Sequence, residues 1–254
     1  MKGGISKEEL NQALNKNLTS YNGVSFLSKS DEDNALDVLA DAFKEDPLFA
    51  WVAELDDDDP NKTQKMLKLG KSMHAWVNHR LIVGKRGVAL GVRSNRDLVG
   101  CMCLSPSSCA TRTQIWDDVM VMFKFGPPPM YKEKGAYGPH SSKRAEKLEV
   151  LTKKRKEHMK GLKRWIYLQT LGVSFDHHGK GHGKKLLQLL IQTADMLNAS
   201  IYLETESENN EGLYKKFGFQ TLEVTTLRAA GDDSPTANLN MWLMRKTPSG
   251  GKIE

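Results

Sequence analysis

A chain of 254 residues with 39% apolar and 27% charged side chains is long enough to close a core without disulfides or metal, and too apolar for a disordered or collagen-like polymer. No stretch approaches the ~18–20 apolar residues of a membrane helix, and MKGGISKEELNQALNKN lacks the apolar segment of a secretory signal, so the chain reads as an intracellular, cytoplasmic globular protein. The net charge of +6 is local: residues 132–164 hold twelve Lys/Arg against four Glu, leaving the rest slightly acidic.

In chain order, residues 1–20 are polar and read as a flexible N-terminus. SFLSKSD (25–31) reads as a first strand, and Asp31 as the N-cap of a helix with Ala35, Leu36, Leu39, Ala40 and Phe43 at helical spacing. Asp59 followed by Pro60 supplies an N-cap and a proline at the first helical position, so a second helix is expected from there to about Arg80. GVALGVRS and LVGCMCLS, joined by NRD, form a hairpin. The three cysteines, Cys101, Cys103 and Cys109, are odd in number and lack CxxC spacing, which argues against a disulfide framework or a zinc site; Cys101 and Cys103 read as small core side chains. Residues 106–163 form an insertion of irregular composition, with three consecutive prolines at 127–129 and a basic helix near 141–163.

The C-terminal third is regular. RWIYLQTLGVS (164–174) is a buried strand, and GKGHGKKLLQLLIQTADML a helix with Leu186, Leu187, Leu190, Ile191, Ala194 and Leu197 on one face. SIYLETE is a strand, NNEGLYKKF a short helix, GFQTLEVTTLRA and NLNMWLMRK a closing pair of strands, and 248–254 a flexible tail. Alternating strands and helices give an α/β or α+β sheet protein with a single domain over 21–247.

The segment HHGKGHGKK (177–185) lies between a buried strand and an amphipathic helix. Gly179, Gly181 and Gly183 let backbone approach a ligand closely, the positive end of the helix dipole lies behind them, and Lys180, Lys184 and Lys185 add charge, which suits a pyrophosphate. A Walker A loop is excluded by the glycine spacing and the missing Ser/Thr after the lysine. A dinucleotide loop is disfavoured by SFDHH before the first glycine and by GxGxG in place of GxGxxG. Paired His177 and His178 without neighbouring carboxylates make a poor metal site, and no metal is expected.

LGVSFDHHGKGHGKKLL resembles the acetyl-CoA signature of the GNAT-type N-acetyltransferases, Gln/Arg-x-x-Gly-x-Gly/Ala, with His178 in the Gln/Arg place and Gly181 and Gly183 as the signature glycines. YLETESENNEGLYKKFGFQ resembles the second conserved region, and with the closing NLNMWLMRK strand the match is similar to the puromycin N-acetyltransferase-like branch, over about residues 164–246. The resemblance implies a mixed, mostly antiparallel sheet of about six to seven strands flanked by helices and splayed at the cofactor strand. It also implies acetyl-CoA as cofactor, and transfer of its acetyl group to a primary amine of a small molecule through a ternary complex. The backbone of Leu171, Gly172 and Val173 would bond the pantetheine arm, and the loop His178, Gly179, Lys180, Gly181, His182, Gly183 and Lys184 the pyrophosphate. Tyr214 would face the sulfur and protonate the departing thiolate, though a Tyr in LYKKFGF also reads as core. Asn210 would bond the cofactor, or serve as a helix N-cap.

Glu204 ends the strand SIYLE where an α/β sheet places ligand-facing groups; a carboxylate there would take the proton of the amine, with Glu206 a lesser alternative. The acidic run from Glu54 to Asp59 would form a rim attractive to cationic amines, or a solvated helix entry. Two further readings stand beside this one. The basic segment 132–164 would dock an acidic partner in a protein lysine acetyltransferase, or contact nucleic acid in a non-catalytic module, although KKRKEHMKGLKR lacks interleaved aromatics and reads first as a solvated helix face. The assembly is expected to be a monomer or homodimer.

Overall fold

The computed structural model describes residues 3–110, 121–133 and 135–250. Helix α1 (Lys7–Leu18) opens the chain, capped by Ser6, whose hydroxyl accepts from the Glu9 N–H. Ile5, Leu10 and Leu14 are fully buried, and Asn17 donates to Thr193 at 3.1 Å. The expected flexible N-terminus is therefore an ordered helix from residue 7, because a few apolar side chains on one face suffice to dock a polar segment.

Strand β1 (Val24–Phe26) is shorter than SFLSKSD suggested. Ser28 ends it by donating its N–H and hydroxyl to Asp31, closing a single 3₁₀ turn at Lys29–Asp31. Helix α2 (Glu32–Ala42) follows, and Asp31 makes no side-chain cap to it. Helix α3 (Pro47–Ala53) was not read from the sequence: Asp46 accepts from the N–H groups of Leu48 and Phe49 with Pro47 at the first position. The same pattern at Asp59-Pro60 gives only a turn, in which Asp59 accepts from the Asn61 N–H, and α4 runs later than expected, Lys62–Ile82. Strands β2 (Val88–Ser94) and β3 (Asp97–Pro106) form the expected hairpin through Asn95 and Arg96, whose φ values of 51° and 78° define the tight two-residue turn. The insertion holds α5 (Ser107–Ala110), α6 (Pro129–Lys132), α7 (Ser141–Lys147) and α8 (Glu149–His158), so the basic helix expected near 141–163 is two helices. Strand β4 (Trp165–Val173), α9 (His182–Met196), β5 (Ser200–Thr205), α10 (Glu208–Lys216), β6 (Gln220–Arg228) and β7 (Asn238–Lys246) complete the chain. The tail is tied at Ser249, which donates twice to Asp195; residues 251–254 lie outside the described residues.

The seven strands form one mixed sheet in the order β1-β2-β3-β4-β5-β7-β6, with β4–β5 the parallel pair. One face packs on α1 and α9 through Leu10, Leu186, Leu190 and Ile201; the other packs on α2 and α4 through Leu36, Leu39, Ala75 and the free thiols Cys101 and Cys103, both fully buried. The functional consequence lies between β4 and β5. They pair over three rungs, Trp165–Ser200 to Tyr167–Tyr202, and then diverge, while β3 holds the other edge of β4 as far as Val173. A wedge opens along Leu168–Val173, as the resemblance implied.

Candidate active site

The loop after β4 is built from short-range bonds. The Phe175 N–H donates to Asp41 on α2 at 2.8 Å, and Ser174 bonds the His177 ring at 3.1 Å. Gly179 and Gly181 take φ values of 73° and 83°, which β-carbon-bearing residues adopt at a cost, and Gly181 caps α9. A β-carbon at Gly179 or Gly181 would meet no heavy atom within 4 Å, and one at Gly183 only Val173 Cγ2 at 3.7 Å. The three glycines thus line an open cradle, into which the first turn of α9 presents its unpaired N–H groups. A CoA pyrophosphate fits this donor set.

Two cavities meet at the wedge. The first, about 690 Å³, contains the glycine loop and the β4 edge: Leu171, Gly172, Val173, His178, Gly179, Gly181, His182, Gly183 and Lys184 line it, with Asn210 and Tyr214 from α10. Lys180 does not; its ammonium donates to the Asp176 carbonyl at 2.8 Å. His178 also turns back, donating from Nε2 to the Val173 carbonyl at 2.7 Å rather than pointing at the phosphate position. The second cavity, about 610 Å³, lies on the other side of Tyr214 and is walled by Phe43, Phe49, Met73, Trp76, Tyr167 and Met241. The cavities share six residues: Phe43, Asp46, Leu171, Glu206, Asn210 and Tyr214.

Each polar group of the second cavity has a distinct environment. Glu204 faces it with a side chain only 6% exposed and pairs with Arg155 of α8 at 3.3 Å; Arg155 in turn lies over the Tyr167 ring at 4.0 Å. Burial pushes the Glu204 carboxyl up, and Arg155, then Tyr167 and Tyr202, draw it back. His74 stands between Phe43 and Phe49, and burial lowers it to about 3, so the ring is neutral. Asn78 donates to its Nδ1 at 3.1 Å, since the other end of that amide accepts from Thr170 and Gln169. Tyr214 rests edge-on against Phe219, and burial followed by the charge of Glu206 raises its phenol, which stays protonated. Ser207, not Asn210, caps α10; Asn210 is the third helical residue, and its amide donates to Glu206 at 3.0 Å. Asp46 and Glu206 lie within hydrogen-bond reach of one another, and both carboxyls are raised, first by burial; for Asp46 the charge of Glu206 comes next.

Two surface readings change. None of residues 54–59 lines the second cavity: Asp57 pairs with Lys62, Asp59 with Lys65, and Glu54 with His140 and Arg144, so the run is a helix entry rather than a rim. The basic segment is not simply a solvated face. Arg144 is fully buried against Asp232 at 2.8 Å and the Trp51 carbonyl at 2.8 Å, fastening α7 to α3 and to the β6–β7 connection. Helix α8, with Leu148 just before it, then lies along the second cavity through Leu151, Thr152 and Arg155. Sequence reasoning missed Asp46 and Arg155; Asp46-Pro47 carried a helix-start signal, whereas Arg155 looked like any lysine beside it.

Residues 148–221 match the family model of the acetyltransferase (GNAT) domain. The fold recurs in arylalkylamine N-acetyltransferase 2 from Aedes aegypti, 17% identical over 89% of this chain and 99% of that one, with a TM-score of 0.55. It recurs in the Drosophila melanogaster polyamine N-acetyltransferase, which forms N-acetylagmatine, at 13% identity, 88% and 99% coverage and a TM-score of 0.50. A Corynebacterium glutamicum protein described as histone acetyltransferase HPA2 and related acetyltransferase is 22% identical, with 91% and 98% coverage and a TM-score of 0.50. A curated relative, a probable serine/threonine-protein kinase from Dictyostelium discoideum, is 25% identical over 247 residues; the chain spans a quarter of that protein's length. Residues 148–221 thus resemble the acetyltransferase (GNAT) domain, and the chain shares the fold of these N-acetyltransferase structures. Among the described residues no helix is long and apolar enough to cross a membrane.

Proposed function

We propose that this protein transfers the acetyl group of acetyl-CoA to the primary amine of a small molecule with an apolar or aromatic body, in a ternary complex. The observation that carries the reading is the meeting of two cavities at Tyr214: a glycine-lined one suited to pyrophosphate and pantetheine, and an aromatic one that shares the carboxyl groups of Asp46 and Glu206 with it. CoA, when bound, would supply the activated acetyl thioester. Gly179, Gly181, Gly183 and the start of α9 would hold its pyrophosphate, and the free edge at Leu171–Val173 its amide arm. His178 would release the Val173 carbonyl to that arm. Tyr214, kept as a phenol by its buried site, would hydrogen-bond the departing sulfur and pass it a proton. Glu204, held by Arg155, would anchor α8 over the acceptor rather than serve as the base expected from its place at the strand end.

The walls of Phe43, Phe49, Trp76 and Tyr167 favour an arylalkylamine, and the helix α8 across the cavity favours a small acceptor over a lysine on a protein. The test is incubation with acetyl-CoA and a panel of arylalkylamines, diamines and a histone-tail peptide, followed by free CoA thiol. Thiol release with arylalkylamines is the expected result. Release with the peptide alone would move the assignment to a protein acceptor, and none with any acceptor would end it.

A further inference from the structure

Resting on that reading, we infer that Asp46 and Glu206 act as one base: a carboxyl pair with a single proton between them that takes up the proton of the bound ammonium. Both residues line both cavities, which places them where the amine nitrogen must meet the acetyl carbon. They come from distant elements. Asp46 caps α3, its Oδ1 accepting from Leu48 and Phe49, while Glu206 follows β5, its Oε1 accepting from Asn210. Glu206 is also held by its own backbone and by Thr205, so both carboxyls are fixed in place beside one another. Among the described residues no Lys, Arg or His pairs with either, in contrast to Glu204 and Arg155.

Two carboxylates in contact inside a largely apolar site do not both ionise, because their repulsion is poorly screened there. The pair accordingly holds one proton and one negative charge, which an alkylammonium ion neutralises on binding. The ammonium gives its first proton to the pair, leaving a neutral amine and a doubly protonated pair. The nitrogen lone pair forms the C–N bond as the C–S bond breaks, with that bond's electrons leaving on sulfur. Tyr214 gives its proton to the sulfur and recovers one from the nitrogen, so the third proton stays on the amide. The pair then returns its extra proton to solvent. Atoms and charge balance: ammonium and thioester become amide, thiol and one released proton.

The test uses the full chain and an arylalkylamine turned over by the wild type. Asp46→Asn and Glu206→Gln should each lower kcat by about 10²–10⁴-fold, the range of a general acid–base group. The double variant should fall no further than the worse single one, as residues acting as a unit do. Asn retains the helix cap, so acetyl-CoA affinity by calorimetry should be unchanged in Asp46→Asn. Independently of turnover, the infrared carbonyl stretch of a protonated carboxylic acid at neutral pH, shifted in deuterated water, should be present in the wild type and lost in each single variant. Wild-type kcat in either variant, losses that multiply in the double, or a band that survives Asp46→Asn overturns the shared base. A wild type inactive on every amine overturns the acetyl-transfer reading itself, and the base role with it.

Discussion

An aspartate placed at position 183 would meet little of the protein itself, since only Val173 Cγ2 lies near a β-carbon there. It would fall in the first turn of α9, where a negative charge stabilises a helix by about 0.3–1 kcal/mol. Gly183→Asp should therefore leave the thermal midpoint unchanged or higher, while the carboxylate confronts the pyrophosphate and weakens acetyl-CoA by a hundredfold or more, a loss of roughly 3 kcal/mol. Undiminished affinity by calorimetry would remove the loop from the cofactor site. Gly181 is a poorer probe, because its φ of 83° adds backbone strain to any side chain. Asp46 supports a second prediction at this scale. Its carboxyl is raised by burial and by Glu206, so the folded protein binds more protons than the unfolded one above the ordinary aspartate value of 3.8. Stability is then lost as pH rises through the raised value. Asp46→Asn should melt higher than wild type, by a margin that widens as the pH is taken upward from 4. A margin that shrinks would contradict the like-charge contact.

Helix α8 lines the second cavity, where it would enclose the proposed acceptor, and Glu204 is one of its anchors through Arg155. Glu204→Gln leaves a buried guanidinium without its counter-charge, for which roughly 3–5 kcal/mol of stability is the usual loss. The expected outcome is a lowered unfolding midpoint and a raised KM for the amine, with kcat changed less than in Glu206→Gln. A large kcat defect at unchanged stability would restore Glu204 as the base. The order β4, glycine loop, α9, β5, α10 was legible because each element carries its own signal: β-branched runs, positive-φ glycines and an apolar helical stripe. The resemblance assigned Tyr214 and Asn210 to the cofactor, and both line the first cavity. The Asp46–Glu206 contact was not legible, since it joins residues 160 positions apart and neither is unusual in its own segment. The path of the insertion was hidden for a related reason, because what turns Arg144 and Arg155 inward is Asp232 and Glu204, not their neighbours in sequence.

Across the whole molecule, α1 closes one face of the sheet although its composition suggested a loose terminus. Leu14 is fully buried there, and Leu14→Ala should cost about 2–5 kcal/mol in urea unfolding. A loss under 1 kcal/mol would mean that the helix contributes little. The wedge between β4 and β5 has a different reach. A sheet is a ladder, and here one side of six residues, 168–173, has no rung from β5. A ligand that completed those rungs, as proposed for acetyl-CoA, would belong to the folded state alone, so its concentration would enter the folding equilibrium. At a hundred times the dissociation constant it adds about 2.7 kcal/mol. The melting temperature of this protein should therefore rise with acetyl-CoA, its proposed substrate, and fall back when the nucleotide is dialysed away, so that the balance of folded and unfolded chain follows the supply of that nucleotide.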